Sequence, residues 1–479
     1  MNIRTEIFIV PLLGKFLVYA PLRRVAFITD SAGTKFLENL RRSETPRLDR
    51  QHEPFMDFLR AIHVLGDEGD LPISTFENRT FKPTEVTLFL TSRCNLRCIY
   101  CYALAGDRPA SEMSLITAMR GIEYVWRNTI EKGKTEFTVG YHGGGEPTMN
   151  WEVLKESFEY AKRLARSTGM QAHGYMATNG VLSYEKRQWI ANHFCGVNVS
   201  IDGLPDVQNI QRPMRSGRQS SNEVLETVRF FDNVQFRYGI RMTVTALSLE
   251  RLPQSVAYLL ESTRPTHIQV EPMYLLGRGK DIGMAVEPLA FVQAFMEARS
   301  IARQCNVDMF YSAARMDVLT DHFCQSCGEG FNLTPQGFVS SCYEVPGPEF
   351  EFADEFIFGR YNHDSRRFEF DEEKVIRLRD RSIEPIAWCD KCFCKWHCAG
   401  DCFYKKKHRS VEHDFAGDPR CEITRLLTLQ QILEKIGQNG GKVWVEGYHT
   451  EALRRIEAQY KMRDRRKSNE DQQTRRIIR

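Results

Sequence analysis

Three cysteines on one short loop constrain this chain more than any other feature. Cys94, Cys98 and Cys101 are spaced CxxxCxxC and follow a strand-like run that begins at Val86. Three thiolates in this arrangement can hold three irons of a [4Fe-4S] cube and leave the fourth iron open to another ligand. The spacing therefore predicts a reactive iron–sulfur site, with a zinc site as the alternative.

The size and composition of the chain restrict its organisation and its partners. A chain of 479 residues exceeds the size at which one hydrophobic core stops growing, so two or three structural units are expected. The net charge of +3 and the lack of an apolar run of spanning length give no reason to expect a nucleic-acid or membrane partner. The 14 cysteines cluster at CxxC-like spacings, which favours metal ligation in a reducing compartment and predicts a cytosolic protein.

Strand-like and helical patterns alternate from Val86 onward, which is typical of a parallel α/β unit. The helical segments include 151–166, with apolar residues at helical spacing. Six such repeats predict a partial, open (β/α)6 barrel of TIM type rather than a closed one. The strand candidates are Val86–Thr91, Glu136–Tyr141, Ala172–Ala177, Val197–Ile201, Tyr238–Thr245 and His267–Glu271.

Polar and glycine motifs follow the first four of these strands. Because functional groups of such barrels gather at the C-terminal strand ends, we expect these motifs to share one rim. Glycines let a ligand approach the backbone, a carboxylate can bind an ammonium group, and an aromatic ring can pack a purine. The candidates for these tasks and for ribose hydroxyls are Gly144, Gly145, Glu146, Asn179, Ser200, Asp202 and, within the cysteine loop, Tyr100.

Together, the cysteine triplet, the Gly144-Gly145-Glu146 motif and the Ser200-Ile201-Asp202-Gly203 strand end resemble the radical S-adenosylmethionine (SAM) superfamily over about Val86 to Ala285. The resemblance implies that the amino and carboxylate groups of SAM bind the open iron of a [4Fe-4S] cluster. An electron would then cleave SAM to methionine and a 5′-deoxyadenosyl radical, which abstracts a substrate hydrogen. Arg212 would pair with the SAM carboxylate, unless it is a surface arginine.

A second group of cysteines resembles the seven-cysteine SPASM domain. Its spacing is Cys327, Cys342, then Cys389-x2-Cys392-x5-Cys398-x3-Cys402-x18-Cys421. The resemblance implies two auxiliary [4Fe-4S] clusters with interleaved ligands. Cys327, Cys342 and Cys402, joined by the upstream Cys324, would bind the first, and Cys389, Cys392, Cys398 and Cys421 the second. Two zinc ribbons are the alternative.

Three assignments among the cysteines are less direct. In some relatives the upstream ligand is further from the next cysteine, at the position that Asp321 occupies in this chain. If Cys324 is not a ligand, the first auxiliary cluster keeps an open iron. Cys394 is predicted not to be a ligand. Cys195 and Cys305 lie on apolar segments and are predicted to be core residues.

The resemblance also implies a peptide or protein substrate, with a leader segment, and an electron donor such as flavodoxin or ferredoxin. The predicted activity is a ribosomal-peptide maturase that installs a crosslink or a similar modification. A sulfatase-maturating enzyme is the alternative, although Cys342 is followed by Tyr343 and Glu344 rather than by the aspartate of that branch. A non-catalytic metal scaffold is the alternative of another class. The candidate catalytic residues are Glu344, Glu271 and His142, each with a structural role as its alternative.

Four segments are predicted along the chain. Residues 1–80 would form an α+β module with strands Phe16–Tyr19 and Val25–Ile28 and helices from Asp30 and over 54–65, which could accept a leader peptide as an added strand or cap the barrel. The apolar run 7–18 is broken by Pro11 and Lys15, so no signal peptide is expected. The barrel would span 81–305, with a helix over 287–304, and the SPASM domain 306–440. A C-terminal helix and charged tail, disordered from 458, would occupy 441–479.

Overall fold

The computed structural model describes residues 5–42, 52–66, 69–74, 80–280, 282–407 and 417–446. The predicted disordered tail lies outside these residues. None of the described helices combines the length and apolar character needed to cross a membrane. The strands are β1 Phe8–Leu12, β2 Lys15–Ala20, β3 Val25–Thr29, β4 Glu85–Leu88, β5 Glu136–Tyr141, β6 Gln171–Thr178, β7 Gly196–Ser200, β8 Tyr238–Val244, β9 His267–Pro272, β10 Asp308–Phe310, β11 Asn332–Leu333, β12 Phe338–Ser340, β13 Ile357–Asn362, β14 Arg367–Phe370 and β15 Val443–Val445.

The α-helices alternate with the barrel strands and then continue into the C-terminal region. Several begin at side-chain caps, such as Ser114 and Ser183, which accept hydrogen bonds from backbone amides of the first turn. The helices are α1 Ser31–Arg42, α2 Glu53–Ala61, α3 Leu115–Glu131, α4 Trp151–Ser167, α5 Tyr184–His193, α6 Pro205–Gln211, α7 Ser221–Asn233, α8 Leu252–Ser262, α9 Pro288–Gln304, α10 Ala353–Phe356, α11 Glu372–Arg379, α12 Lys395–Cys398, α13 Phe403–Lys407 and α14 Pro419–Gln438.

The large sheet has the order β10-β9-β8-β7-β6-β5-β4-β11-β12-β13-β14. Its six central strands, β4 to β9, are parallel and correspond to the six predicted ones, so the α/β barrel fold is confirmed. The sequence did not predict β10 and β11, which add one parallel strand at each side. Both are two or three residues long, too short for a visible pattern. The C-terminal region therefore contributes strands to the barrel sheet, across the predicted boundary at 305.

The core lies between the barrel strands and their helices. Strand β8 shows how the residues are sorted, because its side chains alternate between two faces. Ile240 and Met242 are almost wholly buried under the helices, whereas Arg241 between them is exposed on the opposite, interior face. The barrel interior is thus polar, with Asn198 on β7 exposed in the same way.

A separate four-stranded sheet has the order β1-β2-β3-β15. The apolar run that opens the chain forms the β1–β2 hairpin, with Gly14 in the turn at a φ of +68°. Strand β15 pairs antiparallel with β3, Trp444 opposite Ala26. This differs from the predicted C-terminal helix, because residues 443–445 form a short strand whose side chains are all buried. Strand β15 therefore covers the edge of β3, and β1 and β15 are the two outer strands of this sheet.

We expect Trp444→Ala to destabilise this sheet by about 3–5 kcal/mol, the usual effect of truncating a buried tryptophan. Trp444 is 4% exposed and stacks on Tyr19, with ring centroids 6.4 Å apart. Hydrogen exchange of the β3 amides would measure the loss. Leu13→Ala is the control, since Leu13 is fully exposed in the hairpin turn. Equal exchange in the two variants would contradict the packing described.

Candidate active site

The cysteine triplet lies on the loop between β4 and α3, and neighbouring loops hold its backbone. Arg97 N donates to Pro213 O at 2.8 Å, and Ile99 N donates to Gln211 O at 3.0 Å. The Arg278 guanidinium donates to Cys98 O at 2.9 Å. The loop is thus fixed from the segments that follow α6 and β9.

The three thiols lie close together. Burial raises the pKa of Cys94 to about 12, and the neighbouring Cys98 and Cys101 add to the rise. Burial likewise raises the pKa of Cys98 to about 11, although Arg212 opposes the shift. Thiols in this setting stay protonated until a metal displaces the proton. Among the described residues no three His, Cys, Asp or Glu side chains are placed to hold a single metal ion.

The Gly143–Glu146 loop after β5 packs directly on the cysteine loop. A side chain at Gly145 would place its Cβ 2.1 Å from Arg93 O, and Glu146 N donates to that same oxygen at 2.9 Å. Gly144 has a φ of +67°. The glycines therefore permit contact between two loops of the chain, in addition to any ligand.

Glu146 is 3% exposed and is fixed by the ends of two strands. Its Oε1 accepts from Thr148 Oγ1 at 2.8 Å and Thr178 Oγ1 at 2.9 Å, and its Oε2 accepts from Asn179 N at 2.8 Å. Burial raises the pKa of Glu146, against these hydrogen bonds. The Asn179 amide lies 3.6 Å from Cys94 Sγ, so Asn179 contacts both the carboxylate and the triplet.

Asp202 and Arg212 form a buried ion pair with each other, which the sequence did not predict. Arg212 Nη2 donates to Asp202 Oδ1 at 3.1 Å, and both residues are buried. Asp202 also accepts from Tyr100 Oη and from Thr243 N. The Arg212 guanidinium lies 5.3 Å from the Tyr100 ring centroid. These three residues form a buried support under the cysteine loop, while Ser200 stays half-buried at the end of β7.

These residues fit a three-thiolate cluster with SAM on its open iron. Three half-buried thiols share one loop, and Glu146 Oε2 accepts only Asn179 N among the described hydrogen bonds. A carboxylate oxygen can accept more than one donor, so an ammonium group can still bind there. The donor set is thus of the soft, sulfur-rich kind that iron–sulfur clusters require.

The C-terminal cysteines interact electrostatically in two sets. Burial raises the pKa of Cys342, with Cys402 and Cys324 contributing, and burial and Cys324 raise the pKa of Cys327 to about 12. Cys324 also acts on the pKa of Cys402. Cys324 therefore lies near Cys327, Cys342 and Cys402, and its role as a fourth ligand stays a prediction.

The second group is built in the same way. Burial raises the pKa of Cys398, and Cys421, Cys392 and Cys389 contribute after Asp401. The pKa of Cys421 rises to about 12 through burial and Asp418, with a contribution from Cys389. Helix α14 brings Cys421 to this group from 19 residues beyond Cys402.

Three cysteines lie outside these groups or beside them. Cys394 is buried, adjoins Cys392 and directs its Sγ to Thr424 O at 3.9 Å. The prediction that Cys195 and Cys305 are core residues is wrong, because both are exposed. Cys195 precedes β7 and Cys305 caps the end of α9, where the apolar segment has already left the core.

Glu271 and Glu344 meet in one buried network that the sequence did not predict. Arg420 Nη1 lies 3.7 Å from Glu271 Oε2, and Lys405 Nζ lies 3.5 Å from Glu344 Oε1. Both cations contact the Tyr274 ring, at 4.6 Å and 3.3 Å from its centroid. Burial raises the pKa of Glu271, but Arg420, Arg241 and Lys405 together hold it below its ordinary value. Lys405 and Arg420 lie among other charged residues near Cys402 and Cys421. No motif distinguishes them, so the sequence did not identify them.

His142 and Glu344 each keep a buried atom without a hydrogen-bond partner among the described residues, His142 Nδ1 and Glu344 Oε2. The His142 ring lies 4.7 Å from the ring of Tyr343, the neighbour of Glu344. Burial lowers the pKa of His142 to about 4, so its imidazole is neutral at pH 7. By contrast, Glu271 Oε1 accepts from Ser312 N and Gln269 Nε2, both at 3.0 Å, and is satisfied.

Residues 88–256, which contain the triplet, Glu146 and Asp202, match the model of the radical SAM superfamily. The chain carries a radical SAM domain. Such a domain implies a [4Fe-4S] cluster that binds SAM. The family resemblance inferred from the motifs is thereby confirmed.

Some relatives match this chain well beyond residues 88–256. Fe-coproporphyrin III synthase of Methanosarcina barkeri is 25% identical over 411 residues, which cover 76% of this chain and 94% of the relative. Mycofactocin maturase MftC of Mycolicibacterium smegmatis is 23% identical over 363 residues, 73% of this chain and 85% of the relative. An uncharacterized protein of Methanocaldococcus jannaschii is 32% identical over 174 residues, and this radical SAM chain spans 57% of its length.

Among solved structures, anSMEcpe with bound AdoMet, which is SAM, and Kp18Cys peptide has a TM-score of 0.58 at 17% identity. The match covers 74% of this chain and 99% of that one. At this identity the likeness concerns the fold, and it agrees with the radical SAM barrel described above.

We expect Glu146→Gln to weaken SAM binding about 10- to 100-fold, because a hydrogen bond between two charged groups is replaced by a neutral one. Equilibrium dialysis of the reconstituted protein with SAM would measure the change. Glu152→Gln is the matched control, since this carboxylate lies six residues further on the exposed face of α4. If both variants bound SAM alike, Glu146 would have no part in the SAM site.

Proposed function

We propose that this protein is a radical SAM peptide maturase, which abstracts a hydrogen atom from a residue of a peptide and leaves a crosslink or a related modification. One observation carries the proposal: the thiol triplet and the Glu146 carboxylate converge at one rim of the barrel, and Asn179 contacts both. The radical SAM domain, the maturase relative and the peptide-bound structural neighbour support it.

Cys94, Cys98 and Cys101 would hold the [4Fe-4S] cluster, which when bound would supply the electron that divides SAM into methionine and a 5′-deoxyadenosyl radical. The residues of the chain position the reactants. Glu146 accepts from the amino group of SAM, and Asn179 orients both Glu146 and the triplet. Tyr100, Asp202 and Arg212 support the loop beneath, which keeps the ligand positions fixed. Ser200 remains the candidate for a ribose hydroxyl.

The C-terminal cysteines would hold two auxiliary [4Fe-4S] clusters. The first takes Cys324, Cys327, Cys342 and Cys402, and the second takes Cys389, Cys392, Cys398 and Cys421. With four thiolates on each, neither cluster has an open iron, so we assign them to electron transfer and structural support. A flavodoxin or ferredoxin would deliver the electrons.

Substrate handling falls to the interior of the barrel. Glu344 and the neutral His142 each offer an unpartnered buried atom, so we assign to them the tasks of orienting the substrate and moving a proton. Glu271 is instead satisfied by Ser312 N and Gln269 Nε2, with Arg420 beside it. A cavity of about 430 Å³, lined among others by Leu104, Gly144, Pro346 and Phe350, gives room for part of a peptide. A leader segment would add to β1, the outer strand of the small sheet.

An anaerobic assay tests the proposal. Reconstituted protein, SAM and dithionite should release 5′-deoxyadenosine, and the short peptides encoded beside the gene should lose hydrogen, as seen by mass spectrometry. Conversion of a sulfatase peptide to formylglycine would favour the sulfatase-maturating alternative. If the protein carried its full complement of iron but released no 5′-deoxyadenosine, the result would favour the non-catalytic scaffold.

A further inference from the structure

Arg241 presents a cation to the interior of the barrel. Its neighbours Ile240 and Met242 are buried in the core, at 0% and 1% exposure, so Arg241 points to the opposite face, where it is exposed. Strand pairing places it beside Ser200 on β7 and Gln269 on β9. The three residues form a polar row across the interior.

The Arg241 guanidinium forms no ion pair among the described residues. Other cations at this end of the barrel have partners: Lys405 has Glu344, Arg420 has Glu271, and Arg212 has Asp202. In the part of the chain that the structure describes, no acidic side chain lies within 4.0 Å of Arg241, and none accepts a hydrogen bond from it. An arginine fork in a concave interior is suited to bidentate binding of a carboxylate.

The position of Arg241 favours substrate over SAM as the source of that carboxylate. Its charge acts on the pKa of Glu271 on β9 and of His142 just after β5. The cations that contact the cysteine loop are instead Arg212, 5.3 Å from the Tyr100 ring centroid, and Arg278, which donates to Cys98 O at 2.9 Å. Arg241 thus faces the space between the cluster loop and the Glu271–Glu344 network, where a substrate residue must lie.

We propose that Arg241 binds a carboxylate of the substrate peptide, carried by an acidic side chain or by the C-terminus at the site of modification. This inference rests on the proposed peptide maturase function. It narrows the substrate class to peptides that bring a negative charge into the barrel. The nearby unpartnered atoms of His142 and Glu344 would then face the same bound residue.

The test uses the reconstituted full chain and pools of synthetic pentapeptides as probes. One pool has a central Glu and a C-terminal amide, one a central Gln and a free C-terminus, and the third a central Gln and an amide. We expect the carboxylate-bearing pools to raise 5′-deoxyadenosine release about tenfold over the neutral pool, the effect of one charge-assisted hydrogen bond. Arg241→Gln should remove this preference, and Arg241→Lys should keep part of it.

SAM binding separates the two sources of carboxylate. Arg241→Gln should retain the SAM-induced change in the electron paramagnetic resonance spectrum of the reduced cluster, and a lost change would assign Arg241 to SAM and overturn the inference. Arg237→Gln is the matched control, since Arg237 is exposed just before the same strand. The inference is also overturned if the pools act alike, or if no pool acts while the wild type responds to SAM. A wild type without any SAM response would instead refute the proposed function itself.

Discussion

Cys98→Ala should reduce the release of 5′-deoxyadenosine from SAM by more than about 1,000-fold, because two thiolates cannot hold the cluster that supplies the electron. The thiol of Cys98 is half-buried beside Cys94 and Cys101. The measurement is an anaerobic assay with dithionite and SAM, in which the nucleoside is quantified by liquid chromatography. The variant should still carry about eight irons per chain, against about twelve in the wild type.

Cys305→Ala is the matched control for this experiment. Cys305 is exposed at the end of α9 and belongs to none of the three cysteine groups, so its loss should change neither iron content nor turnover. Release of 5′-deoxyadenosine by Cys98→Ala at the wild-type rate would remove the triplet from the reaction. Folding is checked separately, since the iron that remains reports on the C-terminal groups.

The second large effect concerns the auxiliary clusters. Cys342→Ala and Cys398→Ala should each lower the iron content by about four per chain, and the double variant by about eight, because the proposed assignment places the two cysteines on different four-iron clusters. Each of these cysteines is buried among its own group of thiols. Iron and acid-labile sulfide are measured together on anaerobically reconstituted protein.

Two further variants sharpen this test. Cys324→Ala should match Cys342→Ala, since Cys324 lies beside Cys327, Cys342 and Cys402. Cys394→Ala should retain full iron, because in the proposed assignment the eight other C-terminal cysteines supply four ligands to each cluster. Loss of four irons from Cys394→Ala but not from Cys324→Ala would reverse the assignment and leave the first cluster with an open iron.

The sequence predicted the parts of the fold that carry a regular pattern. The central barrel strands are five to eight residues long for the most part, alternate with amphipathic helices and end at motifs with a chemical reason for their spacing. Cys94, Glu146 and Asn179 were therefore placed at one rim without a structure. Two-residue and three-residue strands such as β11 and β15 have no such pattern, and only tertiary pairing reveals them.

The candidate site shows the same division. Motif spacing identifies the cysteines because the ligands of one cluster must satisfy a fixed geometry. It does not reveal that Asp202 binds Arg212 and Tyr100, or that Lys405 and Arg420 approach Glu271 and Glu344 from helices α13 and α14. Such contacts depend on how distant segments meet, and a charged residue in a charged run looks like any solvated one.

The pairing of β15 with β3 joins residues more than 400 positions apart. Because a ribosome releases the amino end first, β3 must wait with an unpaired edge until residues 443–445 have emerged. The cysteine-rich region is synthesised before that moment. Closure of the sheet therefore follows synthesis of that region, and a nascent chain cut off before Val443 would expose the edge of β3 to other strands.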